Sequence, residues 1–228
     1  MLYSPAVRRP PSYFANDRAD LVACLPSPLG RTLDVGCGSG EVGAGLRARG
    51  AAPLVGVEID REAAERARPV YDELHVGGAE EVLAGLEGPF ATIVLYDVLE
   101  HLVDPWAVLR RCHEIAAPDA TLHVSVPNVR HLSTVYDVLL RGTFGYTEWG
   151  HRDVTHLRWF TPRDIERAVE AAGWDVVSRS HTPISRARRL LGRLTGGRST
   201  ELLVWQWQVL ARRSEQPRPT PAEPWLRG

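Results

Sequence analysis

Leu33-Asp34-Val35-Gly36-Cys37-Gly38-Ser39-Gly40 decides the fold of this chain. A short buried-strand pattern runs into three glycines at alternate positions, and a helix-compatible segment, Glu41 to Arg49, follows at once. Glycine tolerates positive φ and lets another molecule approach the backbone closely. A strand that turns through such a loop into a helix N-terminus builds a ligand cradle at the carboxyl edge of a parallel sheet. The segments around it fit that sheet. Short apolar runs with β-branched residues recur at Thr32–Gly36, Leu54–Ile59, Leu74–Gly77, Thr92–Tyr96 and Leu122–Val126, the signature of strands buried on both faces. Helical stretches separate them at Glu41–Arg49, Arg61–Ala67, Glu80–Leu86 and Pro105–Ile115, after a short first helix over Asp17–Leu25. Asp104 before Pro105 and Thr161 before Pro162 read as N-caps with proline in the first turn, and Gly173 stops the second of these helices. Alternation of this kind predicts an α/β fold, a doubly wound and mostly parallel sheet. Two further strands, Trp174–Ser180 and Leu202–Leu210, bring the expected total to seven.

Composition sets the bounds. At 228 residues the chain suits one α/β domain, expected over residues 1–213, with a proline-rich disordered tail at 214–228. A net charge of -1 gives no global attraction to nucleic acid or to anionic membrane. Three cysteines without C-x-x-C spacing argue against a disulfide framework or a zinc cluster. No signal peptide or long apolar span is evident, so a cytoplasmic location is the expectation.

The glycine spacing narrows the ligand. G-x-G-x-G is neither the G-x-G-x-x-G dinucleotide fingerprint nor a phosphate loop, which needs Gly-Lys-Ser/Thr. Asp34 projects an anion that repels a pyrophosphate and attracts an ammonium. These residues resemble motif I of the Rossmann-like S-adenosylmethionine (SAM) methyltransferases. The resemblance implies SAM as cofactor, with Asp34, Gly36, Cys37, Gly38 and Gly40 around its amino-acid end. Glu58, closing the strand Val55-Gly56-Val57-Glu58-Ile59, is placed to accept bonds from both ribose hydroxyls, and Ile59 lies beside it. Asp60 reads as the cap of the next helix. In relatives the third strand often ends Gly-Asp-Ala; here Gly78 replaces the aspartate, leaving Gly78, Ala79 and Glu80 for the adenine. Tyr96 and Asp97, ending the fourth strand, complete the expected cofactor set.

Two polar blocks carry the expected chemistry. Asp97, Glu100 and His101 are spaced i, i+3 and i+4 and would share one face of a helical turn. The run Asp-Val-Leu-Glu-His-Leu resembles the ubiquinone-biosynthesis type of O-methyltransferase, where Glu-His lies beneath the transferred methyl. The block from Gly150 to Thr161 resembles the Asp-Arg-Thr-His-Leu-Arg-Phe-Phe-Thr segment of related bacterial small-molecule methyltransferases. His156 and Arg158 match that pattern, whereas Arg152, Asp153 and Val154 depart from it. His151 has no assigned role. The catalytic residues expected are His101 and His156, acting as general bases. The alternative is a divalent cation, magnesium or similar, on Asp97, Glu100, His101 and His156, an arrangement similar to that of metal-dependent 2′-O-methyltransferases of small-RNA ends. Magnesium's preference for oxygen-rich shells favours the metal-free form.

The expected activity is methyl transfer to a hydroxyl of a small-molecule acceptor such as a sugar, natural product or quinone-like compound. The segment from about 129 to 160 supplies a lid. Alternatives are an RNA 2′-O-methyltransferase, suggested by the arginines at 186, 188, 189, 193 and 198, and a non-catalytic SAM-binding protein. A homodimer is compatible with the chain. Trp205 and Trp207, two apart in a strand, are expected on one face as core or interface.

Overall fold

The computed structural model describes residues 18–182, 184 and 200–215. A seven-stranded sheet runs through it in the order β3-β2-β1-β4-β5-β7-β6. β1 (Gly30–Val35) lies inside the sheet, flanked by β2 (Ala51–Glu58) and β4 (Phe90–Tyr96); β3 (Glu73–Val76) and β5 (Ala116–Pro127) continue outward. These five are parallel, whereas β7 (Gln206–Arg213) pairs antiparallel with both β5 and β6 (Trp174–His181). The expected doubly wound α/β sheet is thus present. Leu33 lies between Val55 and Ile93, and Asp34 between Gly56 and Val94, so the register carries Asp34 into the middle of the sheet.

Helices cover the sheet: α1 (Ala19–Ala23), α2 (Glu41–Ala48), α3 (Arg61–Ala67), α4 (Ala79–Gly85), α5 (Pro105–Glu114), α6 (Leu132–Leu140), α7 (Pro162–Ala171) and α8 (Thr200–Leu203). Two apolar clusters result. One joins Leu33, Ile93, Leu122 and Val124 to residues of α5 and α7; the other joins Leu54, Val94 and Tyr96 to residues of α1 and α2. Trp174 is fully buried and donates its indole N–H to the Leu109 carbonyl at 3.2 Å, satisfying the one polar atom of a large apolar ring. The cap expectations hold. Asp60 accepts from Ala63, Asp104 from Ala107, and Thr161 with Asp164 forms a reciprocal capping box.

The last strand is displaced from its expected place. Thr200–Leu203 forms a helical turn, and β7 begins only at Gln206, so Leu202–Leu210 is not a strand throughout. Asn128 anchors this switch: its side-chain amide donates to the carbonyls of Glu201 and Val204 at 2.7 and 2.8 Å. Consequently Trp205 precedes the strand and is partly exposed while Trp207 is buried in it, and the two are not same-face strand neighbours. The arginines at 186, 188, 189, 193 and 198 lie outside the described residues, as does the tail from 216. Ser214 itself donates its N–H to the Gly173 carbonyl at 3.0 Å. The three cysteines are free. Among the described residues no helix is long and apolar enough to cross a membrane.

Candidate active site

The carboxyl ends of β1, β2, β3 and β4 open on one cavity of about 980 Å³, the place where open α/β sheets bind ligands. The glycine loop forms its floor and is tied to β2. Gly36 and Cys37 donate their N–H groups to the Val57 carbonyl at 2.7 and 3.1 Å, and Gly38 donates to Glu58 Oε2 at 2.9 Å. Gly36 has φ 75°, and a Cβ there would sit 2.4 Å from Val98 Cγ2. Its glycine is required as much by the 97–101 turn as by any ligand. Gly40, expected among the ligand contacts, lies outside the lining; it caps α2 at φ 97° and packs on Ala67 and Val70.

Every other expected cofactor residue lines the cavity: Asp34, Gly36, Cys37, Gly38, Glu58, Ile59, Gly78, Ala79, Glu80, Tyr96 and Asp97. Asp34 and Glu58 are both buried. Burial pushes the Asp34 carboxyl up to about 7, with Tyr71 Oη, which donates to Oδ2 at 2.6 Å, opposing the shift. Burial also raises Glu58, while the N–H groups of Asp60 and Gly38 oppose that. Each Glu58 oxygen accepts one backbone N–H and retains capacity for a second bond. A Cβ built on Gly78 meets nothing within 4 Å, so that wall is open space. Glu80 also braces the wall, since its Oε1 accepts the Val103 N–H at 3.0 Å and ties α4 to the loop before α5. Two buried carboxylates, a glycine floor and an open wall fit an adenosine ligand carrying an ammonium.

The turn after β4 departs from its expected form. Asp97 has φ 56°, so it lies outside the short 3-10 turn Leu99–His101 and shares no helical face with Glu100 and His101. Its carboxylate instead pairs with Arg18 and accepts from Gln206. Asp97 therefore drops out of the expected cation set, whose remaining members do converge. Glu100, His101 and His156 offer ligand atoms that all lie within 4.8 Å of one another. Glu100 is 1% exposed, neither carboxylate oxygen has a hydrogen-bond partner, and burial lifts it to about 8. The imidazoles of His101 and His156 meet edge to face with centroids 4.7 Å apart.

Residues far apart in sequence lock this group together. The Glu100 carbonyl accepts the N–H groups of Leu157 and Arg158 at 2.8 and 3.0 Å, and His101 Nδ1 lies 3.1 Å from Thr155 Oγ1. Asp153, buried, accepts from the Thr155 N–H and hydroxyl at 2.8 Å each, and its carbonyl accepts from the His156 N–H at 3.0 Å. Asp153, which departs from the family pattern, is thus the organiser of this group. The Asp-x-Thr spacing, an Asx turn, was its signal. His151 lies outside the cavity lining. Its Nε2 is 2.9 Å from the Trp205 carbonyl, its ring stacks on His131 and meets Trp205 at a tilt, and burial lowers it to about 4. Trp149, Gly150 and Trp205 form the mouth. α6 contributes no residue to the lining and is tied to this segment by an ion pair between Asp137 and Arg152 at 2.7 Å.

Comparison with known proteins agrees with this architecture. A family model described as "Methyltransferase domain" matches residues 10–179. The ubiquinone biosynthesis O-methyltransferase of Neisseria meningitidis is 28% identical over 159 residues, a match that spans 64% of this chain and 64% of that relative. A SAM dependent methyltransferase from Archaeoglobus fulgidus superposes with TM-score 0.58 at 16% identity, covering 80% of this chain and 86% of that one. Magnesium protoporphyrin IX methyltransferase from Synechocystis gives TM-score 0.60 at 18% identity, covering 90% and 83%. With the glycine loop and sheet order already described, the family match places this chain among the methyltransferase domains, in the Rossmann-like, SAM-dependent class I.

Proposed function

We propose that this protein transfers a methyl group from SAM to a hydroxyl oxygen of an uncharged small molecule. The observation that carries the reading is the shared cavity: the glycine floor with Asp34 and Glu58 at one end, and Glu100, His101 and His156 within 4.8 Å of one another at the other. Asp34 holds the cofactor's ammonium, Glu58 its ribose hydroxyls, and the wall at Gly78 and Ala79 its adenine. SAM supplies a sulfonium-activated methyl group, so the chain has to align the acceptor and remove one proton. Thr155 holds His101 at Nδ1, which assigns the acceptor proton to Nε2 of His101 or to the His156 ring. The imidazolium so formed lies beside Glu100, whose carboxylate stabilises it once ionised. Trp149 and Trp205 cover the acceptor's apolar face. The name of the Neisseria relative supports an oxygen acceptor. Arg18 is the one arginine that lines the cavity among the described residues, against eight acidic side chains, among them Asp34, Glu58, Glu100 and Asp153. That balance favours an uncharged acceptor over RNA.

The two unpartnered oxygens of Glu100 support a second reading, in which Glu100, His101 and His156 hold a divalent cation. One carboxylate with two imidazoles suits a transition ion or zinc better than magnesium. Bound there, such an ion would lower the pKa of an acceptor hydroxyl. Incubating the purified chain with SAM and a panel of phenols, catechols and sugars, with products read by mass spectrometry, tests both readings. Methylated hydroxyl products that persist in chelator support the first, and loss of product in chelator supports the second. SAM binding without product across the panel supports a non-catalytic role. Gly38→Arg, which puts a long side chain at φ 55° on the cavity floor, is expected to abolish SAM binding, and unchanged calorimetric affinity would overturn the cofactor assignment.

A further inference from the structure

Tyr71 lies outside every motif and outside the cavity lining, yet the structure builds a slot for it. The slot is cut by two glycines from different elements. A Cβ on Gly43 of α2 would lie 2.3 Å from Tyr71 Oη, and one on Gly56 of β2 would lie 2.8 Å from Cδ1. Neither glycine has positive φ, so space for this ring, not backbone freedom, requires them. The backbone on either side of Tyr71 is pinned. The Val70 carbonyl accepts from Arg47 Nε at 2.9 Å, and Asp72 accepts from the Leu54 N–H at 2.6 Å and from Arg47 Nη2 at 2.8 Å. The phenol thus arrives, buried, 2.6 Å from Oδ2 of Asp34.

We infer that Tyr71 is a positioning residue for the amino-acid end of the cofactor, acting through Asp34: its hydroxyl fixes the carboxylate and favours the anion that receives the ammonium. The inference rests on the assignment of SAM to this cavity. A phenol can donate to a carboxylate and strengthens its charged form, whereas a phenylalanine would fill the slot and do neither. Among the described residues, four groups face Asp34. Glu58 on β2 pushes its carboxyl up, Tyr71 draws it down, and Cys37 in the glycine loop and Tyr96 at the end of β4 are coupled to its charge. Burial outweighs the Tyr71 hydrogen bond, leaving Asp34 at about 7. The carboxylate must be ionised to hold an ammonium, so affinity should rise with pH through that region and level off above it. Losing the Tyr71 hydroxyl moves the carboxyl further up and carries the rise to higher pH.

The test is calorimetric titration of wild type and Tyr71→Phe with two ligands, each from pH 6 to 9. S-adenosylhomocysteine carries the amino-acid end, and 5′-methylthioadenosine has the same adenosine without it. Tyr71→Phe should bind the first about 10–100-fold more weakly at pH 7, the range for a hydrogen bond to a charged group. Its pH curve should be displaced upward, with affinity for the second ligand unchanged. In Asp34→Asn, adding Tyr71→Phe should cost nothing further. Equal weakening of both ligands would make Tyr71 a packing residue and overturn the inference, and so would unchanged affinity for both. A wild-type chain that binds neither ligand overturns the cofactor assignment, and this inference with it.

Discussion

Replacing Glu100 with glutamine should make the protein more stable and less active. The side chain is 1% exposed, both oxygens lack partners, and the carboxyl is held at about 8 against an ordinary value of 4.5. For a carboxyl raised on folding, stability is complete below the unfolded value and is lost as pH climbs toward the folded one. At pH 7 the folded group has taken up a proton against roughly 2.5 pH units at about 1.36 kcal/mol each, a cost of about 3 kcal/mol. Glutamine escapes that cost but still buries an amide, at about 1 kcal/mol, so the net gain is about 2 kcal/mol. For a chain of this size that is a rise in Tm of roughly 4–8 °C. Near pH 4.5, where the unfolded carboxyl is itself half protonated, the gain should shrink to about zero. Thermal unfolding of chelator-treated wild type and Glu100→Gln at several pH values reads this directly. A variant no more stable than wild type at pH 7, or a difference that ignores pH, would refute the description of Glu100 as a buried carboxyl without a hydrogen-bond partner. The same variant should lose methyl transfer, because its amide cannot stabilise the imidazolium.

His156→Ala should leave S-adenosylhomocysteine affinity within about twofold while lowering turnover by about 10²–10⁴, the usual worth of a general base; full activity would remove His156 from the chemistry. Gly56→Ala should destabilise the fold by about 1–3 kcal/mol, because its methyl collides with Tyr71 and Leu74. Urea unfolding checks this, and a neutral result would mean the slot is looser than the geometry states.

The inner strands β1 and β4 were legible because they are short buried runs, and that signal is local; β3, at the sheet edge, has no fully buried residue and so departs from the expected burial on both faces. The cofactor end was legible for the same reason: Asp34, the glycine loop and Glu58 lie at strand ends fixed by pattern. The chemistry was legible in kind and less so in placement. The i, i+3, i+4 reading put Asp97 on a face with Glu100 and His101, but a left-handed Asp97 turns the chain before the helical turn begins. Leu202-Leu203-Val204 continues smoothly into Trp205, so nothing local marks where α8 ends; Asn128, more than seventy residues earlier, sets that boundary. Tyr71 was out of reach. Its meaning depends on Gly43 and Gly56 meeting it in space, and neither glycine sits in a turn that would call attention to it.

The central claim is that one cavity holds SAM at the glycine loop and presents its reactive end to Glu100, His101 and His156. A crystal structure with S-adenosylhomocysteine tests it most directly. The ribose should lie on Glu58 and the ammonium on Asp34, with the sulfur pointing toward the two histidines. A ligand lying elsewhere, or one whose sulfur points away from His101 and His156, would contradict it.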